Sequence, residues 1–392
     1  MATRVQVVRP RGDGDLRITF VLPAVDMSGG IRVVAIYAEK LKRRGHDVLI
    51  VSVPRRPPRL RRRIKSLLMG RGWPSARDPK PSHLDGVDVE HRVIERWRPI
   101  TDKDVPDADA TIATWWETAE WVSALSPGKG AKVHFIQGYE VFPGQPADRV
   151  KAVWGLPMHR ITISKWLVAL AQNTYSDTRT SLVPNSVDTG QFFATPRTKH
   201  AVPTVGLMYS SQSIKGLDVS LRAIELVKKT IPCLRLVSFG LEKPDGPVPL
   251  PSDAFYVQCP PQDSIRDLYA QCDVWLCGSR TEGFHLPPLE AMACRCPVVS
   301  TRVGGPLDIV EDAHNGFLVN IEDHEALADR LLRVLHLPDP EWRAMSDAAY
   351  ATATRYTWDD ATALFEQALF TAVKRTSRGD FQTACTAGSS PL

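Results

Sequence analysis

The feature that most constrains the fold is an alternation. Short runs of strand-forming residues are each followed by a loop rich in glycine or proline and then by a helical repeat of apolar positions. Leu16 to Leu22 (LRITFVL) reads as a strand and Pro23 to Gly30 as a loop. Ile31, Val34, Ala38 and Leu41 then mark one face of a helix that stops at Gly45, and Asp47 to Val53 is a second strand. Strands joined through a crossover helix run parallel. Further strand candidates stand at Val87 to His91, Ala110 to Thr114, Lys132 to Gln137 and Arg160 to Ile163, with helices between. A second series opens at Thr204 and continues at Leu234 to Phe239, Ala254 to Gln258, Val274 to Cys277 and Pro297 to Ser300. Two such series in 392 residues, 43% of them hydrophobic, predict an α/β chain with two separate cores.

Composition removes several alternatives. No apolar run approaches the roughly 18 residues of a membrane-crossing helix. The opening MATRVQVVRPRGDG has no apolar middle of the kind a signal peptide needs, so a cytoplasmic protein is expected. All seven cysteines, Cys233 to Cys385, lie in the second half without a C-x-x-C pair or a histidine cluster at metal spacing, which fits small buried residues in a reducing compartment. The net charge of +5 is mild but uneven, because residues 54–83 hold ten Arg and Lys against a single acid. That insertion is either a solvated loop or, through 54–68, a peripheral contact with anionic lipid at the inner face of the membrane. Nucleic acid is not expected, since the stretch has no recognisable module and Trp73 is its only stacking side chain.

Chemistry concentrates in residues 274–305, VWLCGSRTEGFHLPPLEAMACRCPVVSTRVGG. Val274 to Cys277 is strand, the next segment is loop, and Pro287-Pro288 opens a helix where missing N–H groups cost little. The loop therefore lies at the carboxyl end of a parallel strand, where open sheets bind ligands. Two carboxylates there, Glu282 and Glu290, suit hydroxyl donors. A bare phosphate would be repelled, so a sugar nucleotide fits better.

Glu282-Gly-Phe-His-Leu-Pro-Pro-Leu-Glu290 resembles the E-x7-E signature of retaining glycosyltransferases with the GT-B fold, family 4 in particular. The resemblance implies two Rossmann-like doubly wound domains facing across a cleft. Its domain plan is a lead-in at 1–15, an acceptor-side domain at 16–190, a linker at 191–203 and a nucleotide-sugar domain at 204–355. A helix at 356–375 would cross back to the first domain, and a disordered tail at 376–392 would follow. It further implies a hexosyltransferase that needs no metal or cofactor and moves sugar from a nucleotide diphosphate sugar to a glycan or lipid-linked hydroxyl. A GT-B epimerase or hydrolase and a non-catalytic glycan-binding scaffold are the alternatives.

Residue by residue, the resemblance makes Glu282 and Lys215 catalytic. It assigns donor sugar and phosphate to Gly283, Phe284, His285 and Leu286, and ribose to Glu290. Gly29 and Gly30 correspond to a loop facing the diphosphate, with Arg32 as a further phosphate partner. The chain departs from the family at three places: His285 replaces the usual glycine, Gln137 stands where a histidine is common, and Ser210 stands where an arginine is. Ser210, Ser211 and Ser213, or Arg280 and Arg302, are the candidates to make good the missing charge. Trp115 and Trp116 join Gln137 as acceptor-side candidates, with interlayer packing the alternative for at least one of the tryptophans. Asp107-Ala-Asp109 has the look of a metal motif but sits in a turn before a strand, and His134 reads as a core residue. Ile161-Thr-Ile-Ser164-Lys-Trp and Val183-Pro-Asn-Ser-Val-Asp188 resemble structural family motifs, and Gly304 and Gly305 are expected to let phosphate or sugar come close.

Overall fold

The structure, a computed structural model, describes residues 14–56, 67, 69 and 81–381. The lead-in before residue 14, most of the basic insertion at 54–83, including most of the stretch 54–68 considered for lipid contact, and the end of the tail with Cys385 lie outside the described residues. Contacts divide the chain into two compact units. One comprises Met1–Thr162, Ala171–Ser181 and Thr362–Leu392, and the other Ile163–Leu170 and Leu182–Ala361.

Among the described residues the first sheet holds β1 (Arg17–Leu22), β2 (Asp47–Ser52), β3 (Glu90–Val93), β4 (Ala110–Ala113), β5 (Ala131–Ile136), β6 (His159–Thr162) and β7 (Thr180–Leu182). Their order is β3-β2-β1-β4-β5-β6-β7, and the pairings from β3 through β6 are parallel. Helices cover such sheets on both faces, which is why β1, β2 and β4 are nearly all apolar and buried. The helix Gly29–Arg43 buries Ile31, Val34, Ala38 and Leu41 and collects Lys40, Lys42 and Arg43 in its last turn, where the dipole favours them. Gly45, at φ 109°, ends it: the Gly45 amide bonds Lys42 and the His46 amide bonds Leu41. The final helix, Trp358–Ser377, supplies Phe365 to this core. That ring lies 4.5 Å from Tyr37 and 5.1 Å from Phe135. Its neighbour Glu366 accepts from His46 Nε2 at 2.7 Å and from Arg44 at 2.9 Å. This helix runs to Ser377 rather than stopping near Arg375.

The second sheet holds β8 (Thr204–Met208), β9 (Arg235–Gly240), β10 (Phe255–Gln258), β11 (Val274–Cys277), β12 (Val298–Thr301) and β13 (Gly316–Val319). The order is β10-β9-β8-β11-β12-β13, parallel throughout. Trp275, Tyr269 and Trp342 are fully buried in this unit. Two Rossmann-like sheets in one chain are the two α/β cores that the alternation predicts, and the fold that the resemblance implies.

Three local features have physical causes. Asn315 ends the turn at 313–315 and Gly316 begins β13: Gly316 pairs with Val298, and a Cβ there would lie 2.0 Å from the Val298 carbonyl oxygen. Strand β3 falls at Glu90–Val93, later than Val87 to His91, because only there does the chain register against Leu49 to Ser52. Residues 163–170 and the chain from Leu182 group with the second unit rather than with a first domain ending at 190. Trp166 and Ser164 hydrogen-bond Gly283, and Ser186 hydrogen-bonds the Tyr356 carbonyl at 2.6 Å.

Candidate functional site

Strand order in the second sheet reverses between β8 and β11, and open parallel sheets bind ligands outside the carboxyl ends of strands at such a point. The two loops leaving those ends carry the charged residues. After β8 the chain passes Ser210 and makes a short turn at Ser213–Lys215 before the helix Leu217–Thr230. Gly216 joins them at φ 57°, and a Cβ there would lie 1.9 Å from the Gly278 carbonyl oxygen. Glycine is thus required at this corner both for its dihedral and for the close approach. After β11 the loop from Gly278 to His285 leads into the helix Leu286–Ala293.

Glu282 is the meeting point of both loops. Lys215 Nζ donates to its two carboxylate oxygens at 2.9 and 2.8 Å, Ser279 Oγ donates to Oε1 at 2.8 Å, and His285 Nδ1 lies 2.7 Å from Oε1. The side chains of Glu282 and His285 are only 7% and 5% exposed. Burial alone would raise the Glu282 carboxyl, but the charges of His285 and Lys215 outweigh it and hold the group at about 2. Burial opposes charge on His285 as well, yet Glu282 and Cys277 lift it to about 9. The Cys277 thiol, pushed up by burial, is drawn down to about 7 by the same imidazole. The cluster is therefore charged at neutral pH despite being nearly closed to water.

The loop backbone is braced from three sides. The Gly283 carbonyl accepts from Trp166 Nε1 at 2.9 Å and from Ser164 Oγ at 3.3 Å. The Phe284 carbonyl accepts from the Gly305 amide at 2.7 Å. A Cβ on Gly304 would lie 2.8 Å from the Glu282 carbonyl oxygen, and one on Gly305 2.2 Å from that of Phe284. These glycines make room for the glutamate loop, which replaces the expected approach of phosphate or sugar as their reason. Among the described residues the amides of Gly283, Phe284, His285 and Leu286 have no protein acceptor, so this helix start presents several N–H groups together.

Glu290 sits one turn into the helix, 5% exposed, and accepts from the Tyr269 hydroxyl at 2.8 Å. Ser210 Oγ accepts from the Gln212 amide at 3.3 Å, and Ser211 donates to Glu242 at 3.2 Å. Arg280 is committed elsewhere: it pairs with Asp218 at 2.9 and 2.8 Å, with Glu322, and with the Ser213 carbonyl at 2.6 Å. Arg302 lies 3.5 Å from Asp312. Arg280 therefore ties the Lys215 turn to the glutamate loop and does not act as a spare cation.

In the first unit the candidates gather at strand ends but mostly satisfy one another. Gly29 and Gly30 open the helix after β1, and Gln137, just past β5, donates to the Gly30 carbonyl at 3.1 Å. Arg32 lies in the same helix. Trp116 is 3% exposed, donates to Gln145 at 3.0 Å and lies under Arg149, so it takes the packing alternative. Trp115 is half-buried, 6.2 Å from Phe142. Glu140, raised to about 8 by burial, accepts from the Trp116 amide at 2.8 Å. His134 is 3% exposed with neither ring nitrogen bonded, and burial together with Arg160 lowers it to about 3. Asp109 braces Arg17 at 2.7 to 3.2 Å, and Asp107 pairs with Lys129. Among the described residues no group of three His, Cys, Asp or Glu side chains is placed to hold a metal ion.

The sequence did not single out Ser279, Cys277, Trp166 or Tyr269 as parts of this site. Ser279 and Cys277 lie within the motif stretch, where spacing carries no sign of a carboxylate partner. Ser164 and Trp166 did carry a signal in the serine-ended strand motif, but not their target.

Residues 199–336 match the family model described as Glycosyl transferases group 1. D-inositol 3-phosphate glycosyltransferase from Mycolicibacterium paratuberculosis is 34% identical over 179 residues, a match covering 43% of this chain and 39% of that protein. The enzyme of the same name from Acidothermus cellulolyticus is 28% identical over 390 residues, covering 86% of this chain and 85% of that one. Among solved structures, Anabaena HepE in complex with UDP-glucose superposes with a TM-score of 0.67 at 16% identity, covering 92% of this chain and 100% of that one. The fold is that of the GT-B glycosyltransferases, and over the stretches they cover the family match and relatives are similarities to glycosyltransferases.

Proposed function

We propose that the chain is a family 4 glycosyltransferase of the retaining, metal-independent kind. It moves a hexosyl group from a nucleotide diphosphate sugar to a hydroxyl of a glycan or lipid-linked acceptor. The observation that carries this is the convergence of Lys215, Ser279 and His285 on Glu282 at the switch point of the second sheet. A buried carboxylate kept ionised is an acceptor for sugar hydroxyls, and a lysine beside unpartnered helix-start amides is a holder of phosphate. The HepE structure that shares the fold holds UDP-glucose, which supports a nucleotide-sugar donor.

In the reaction the bond from the anomeric carbon to the diphosphate oxygen breaks while a bond to the acceptor oxygen forms on the same face. The departing phosphate takes the acceptor proton. Lys215 and the amides of Gly283 to Leu286 stabilise the charge that grows on that phosphate, Glu282 holds the sugar, and Glu290, braced by Tyr269, takes the ribose. Gln137 cannot accept a proton at neutral pH, so a base from the first unit is not part of this scheme. Gln137 and Trp115 are the first unit's candidates for the acceptor, and contact with anionic lipid through 54–68 would suit a lipid-linked one.

A thermal-shift panel of UDP, GDP, dTDP and ADP with their glucose conjugates tests the donor half, since a ligand of the folded state raises its melting temperature. One nucleotide should stand out, and its effect should fall in Lys215→Ala. Equal, negligible shifts with all of them, in the presence of acceptor glycans and anionic vesicles as well, would overturn the proposal.

A further inference from the structure

His285 occupies φ 70°, ψ 83°, a conformation in which glycine is at ease and any other residue is strained. Its imidazole nevertheless folds inward, 5% exposed, with Nδ1 2.7 Å from Glu282 Oε1 and the Cys277 side chain as its other polar neighbour. We propose that His285 is a positioning residue, clamped between Cys277 and Glu282 so that it fixes the carboxylate in the orientation that receives the donor sugar. This rests on the donor reading above and deepens it, because His285 then acts through Glu282 rather than through contact with the donor.

The division of partners supports the role. Glu282 Oε1 takes Ser279, His285 and one bond from Lys215, whereas Oε2 takes Lys215. When Lys215 turns its donors to a phosphate, Ser279 and His285 still hold Oε1, and Oε2 is released for a sugar hydroxyl. The charged and titratable groups facing this imidazole are Glu282 on its own loop, Lys215 from the turn after β8 and Cys277 at the end of β11. Glu282 keeps it protonated, and the protonated ring holds Glu282 ionised.

The test uses the full chain, its His285→Gly, His285→Gln and Glu282→Gln variants, and UDP-glucose and UDP as probes. Glycine relieves the dihedral strain, so a merely structural histidine predicts a more stable protein with unchanged binding. The positioning role predicts that His285→Gly weakens UDP-glucose by roughly tenfold in calorimetry while UDP stays within about twofold. It also predicts that His285→Gln, which keeps an N–H but no charge, recovers part of that loss. A ligand-free arm is independent of the donor. Raised from 6.5 to about 9 in the folded protein, His285 contributes stability that is complete below 6.5 and lost as pH rises through 9. The melting temperature of the wild type relative to His285→Gly should therefore fall across that window. A pH-independent difference, or unchanged UDP-glucose affinity in His285→Gly where Glu282→Gln loses it, overturns the inference and leaves the donor reading intact. Unchanged affinity in Glu282→Gln overturns both.

Discussion

The strand ends of the two units are built from similar residues and use them in opposite ways. In the second unit two loops bring a lysine, a serine and a histidine onto one carboxylate. In the first unit Gln137 is spent on the Gly30 carbonyl, Trp116 on Gln145, and Glu140 on a backbone amide. The second arrangement concentrates charge in a nearly dry place, where it is worth most to a ligand. The first closes polar groups on themselves and chiefly shapes a surface. The difference teaches that a charged cluster is preformed in one unit, which the proposed function makes the donor site, whereas the other contributes form.

Substitutions can break or sharpen that contrast. The largest effect is expected at Trp116→Ala, which should cost about 3–5 kcal/mol of unfolding free energy, read from urea titration, because a buried ring is lost. Full stability with lost transfer would instead make Trp116 a ligand-binding residue and erase the contrast. Gly216→Ala should cost at least about 2 kcal/mol, since a Cβ meets the Gly278 carbonyl at a left-handed dihedral. Glu282→Ala, Glu290→Ala and Lys215→Ala should each reduce transfer at least roughly tenfold, about 1.4 kcal/mol in the activation barrier, in steady-state assays with the donor that the panel selects. Unchanged transfer by folded Glu282→Ala would move the chemistry out of the second unit.

Smaller effects mark the edges of the comparison. Held at about 2 instead of 4.5, Glu282 contributes stability that is present above 4.5 and lost as pH falls from there towards 2. The melting difference between wild type and Glu282→Gln should shrink over that range. Gly29→Ala should change stability by no more than about 0.5 kcal/mol, because a Cβ there meets nothing within 4 Å. A loss like that of Gly216→Ala would show that the loop after β1 is as constrained as the turn before the helix Leu217–Thr230.

Much of this was legible in the chain. The alternation of apolar runs and helical faces announced two parallel sheets, and the resemblance carried by Glu282, Glu290 and Lys215-Gly216 marked one region of chemistry. Gly304 and Gly305 were legible as close-approach glycines, but not their neighbour, which proved to be backbone of the glutamate loop rather than a ligand. Asn315-Gly316 reads as a turn because its dipeptide favours one, and Asn315 does end the turn at 313–315. What the dipeptide could not show is that the Asn315 side chain is buried, with bonds to Ile309, Thr352 and Glu311, and that β13 starts at the very next residue.

What the sequence determined by itself was local and periodic: where strands and helices fall, that the strands run parallel, and which loops carry carboxylates and a lysine. Tertiary structure alone decided who meets whom. It set Arg280 between Asp218 and Glu322, buried Trp116 but left Trp115 half-open, and turned His285 inward onto Glu282. The physical reason is that hydrophobic period is a property of one segment, whereas a hydrogen bond between residues 67 apart, such as that from Lys215 to Glu282, depends on two strands becoming neighbours in a sheet.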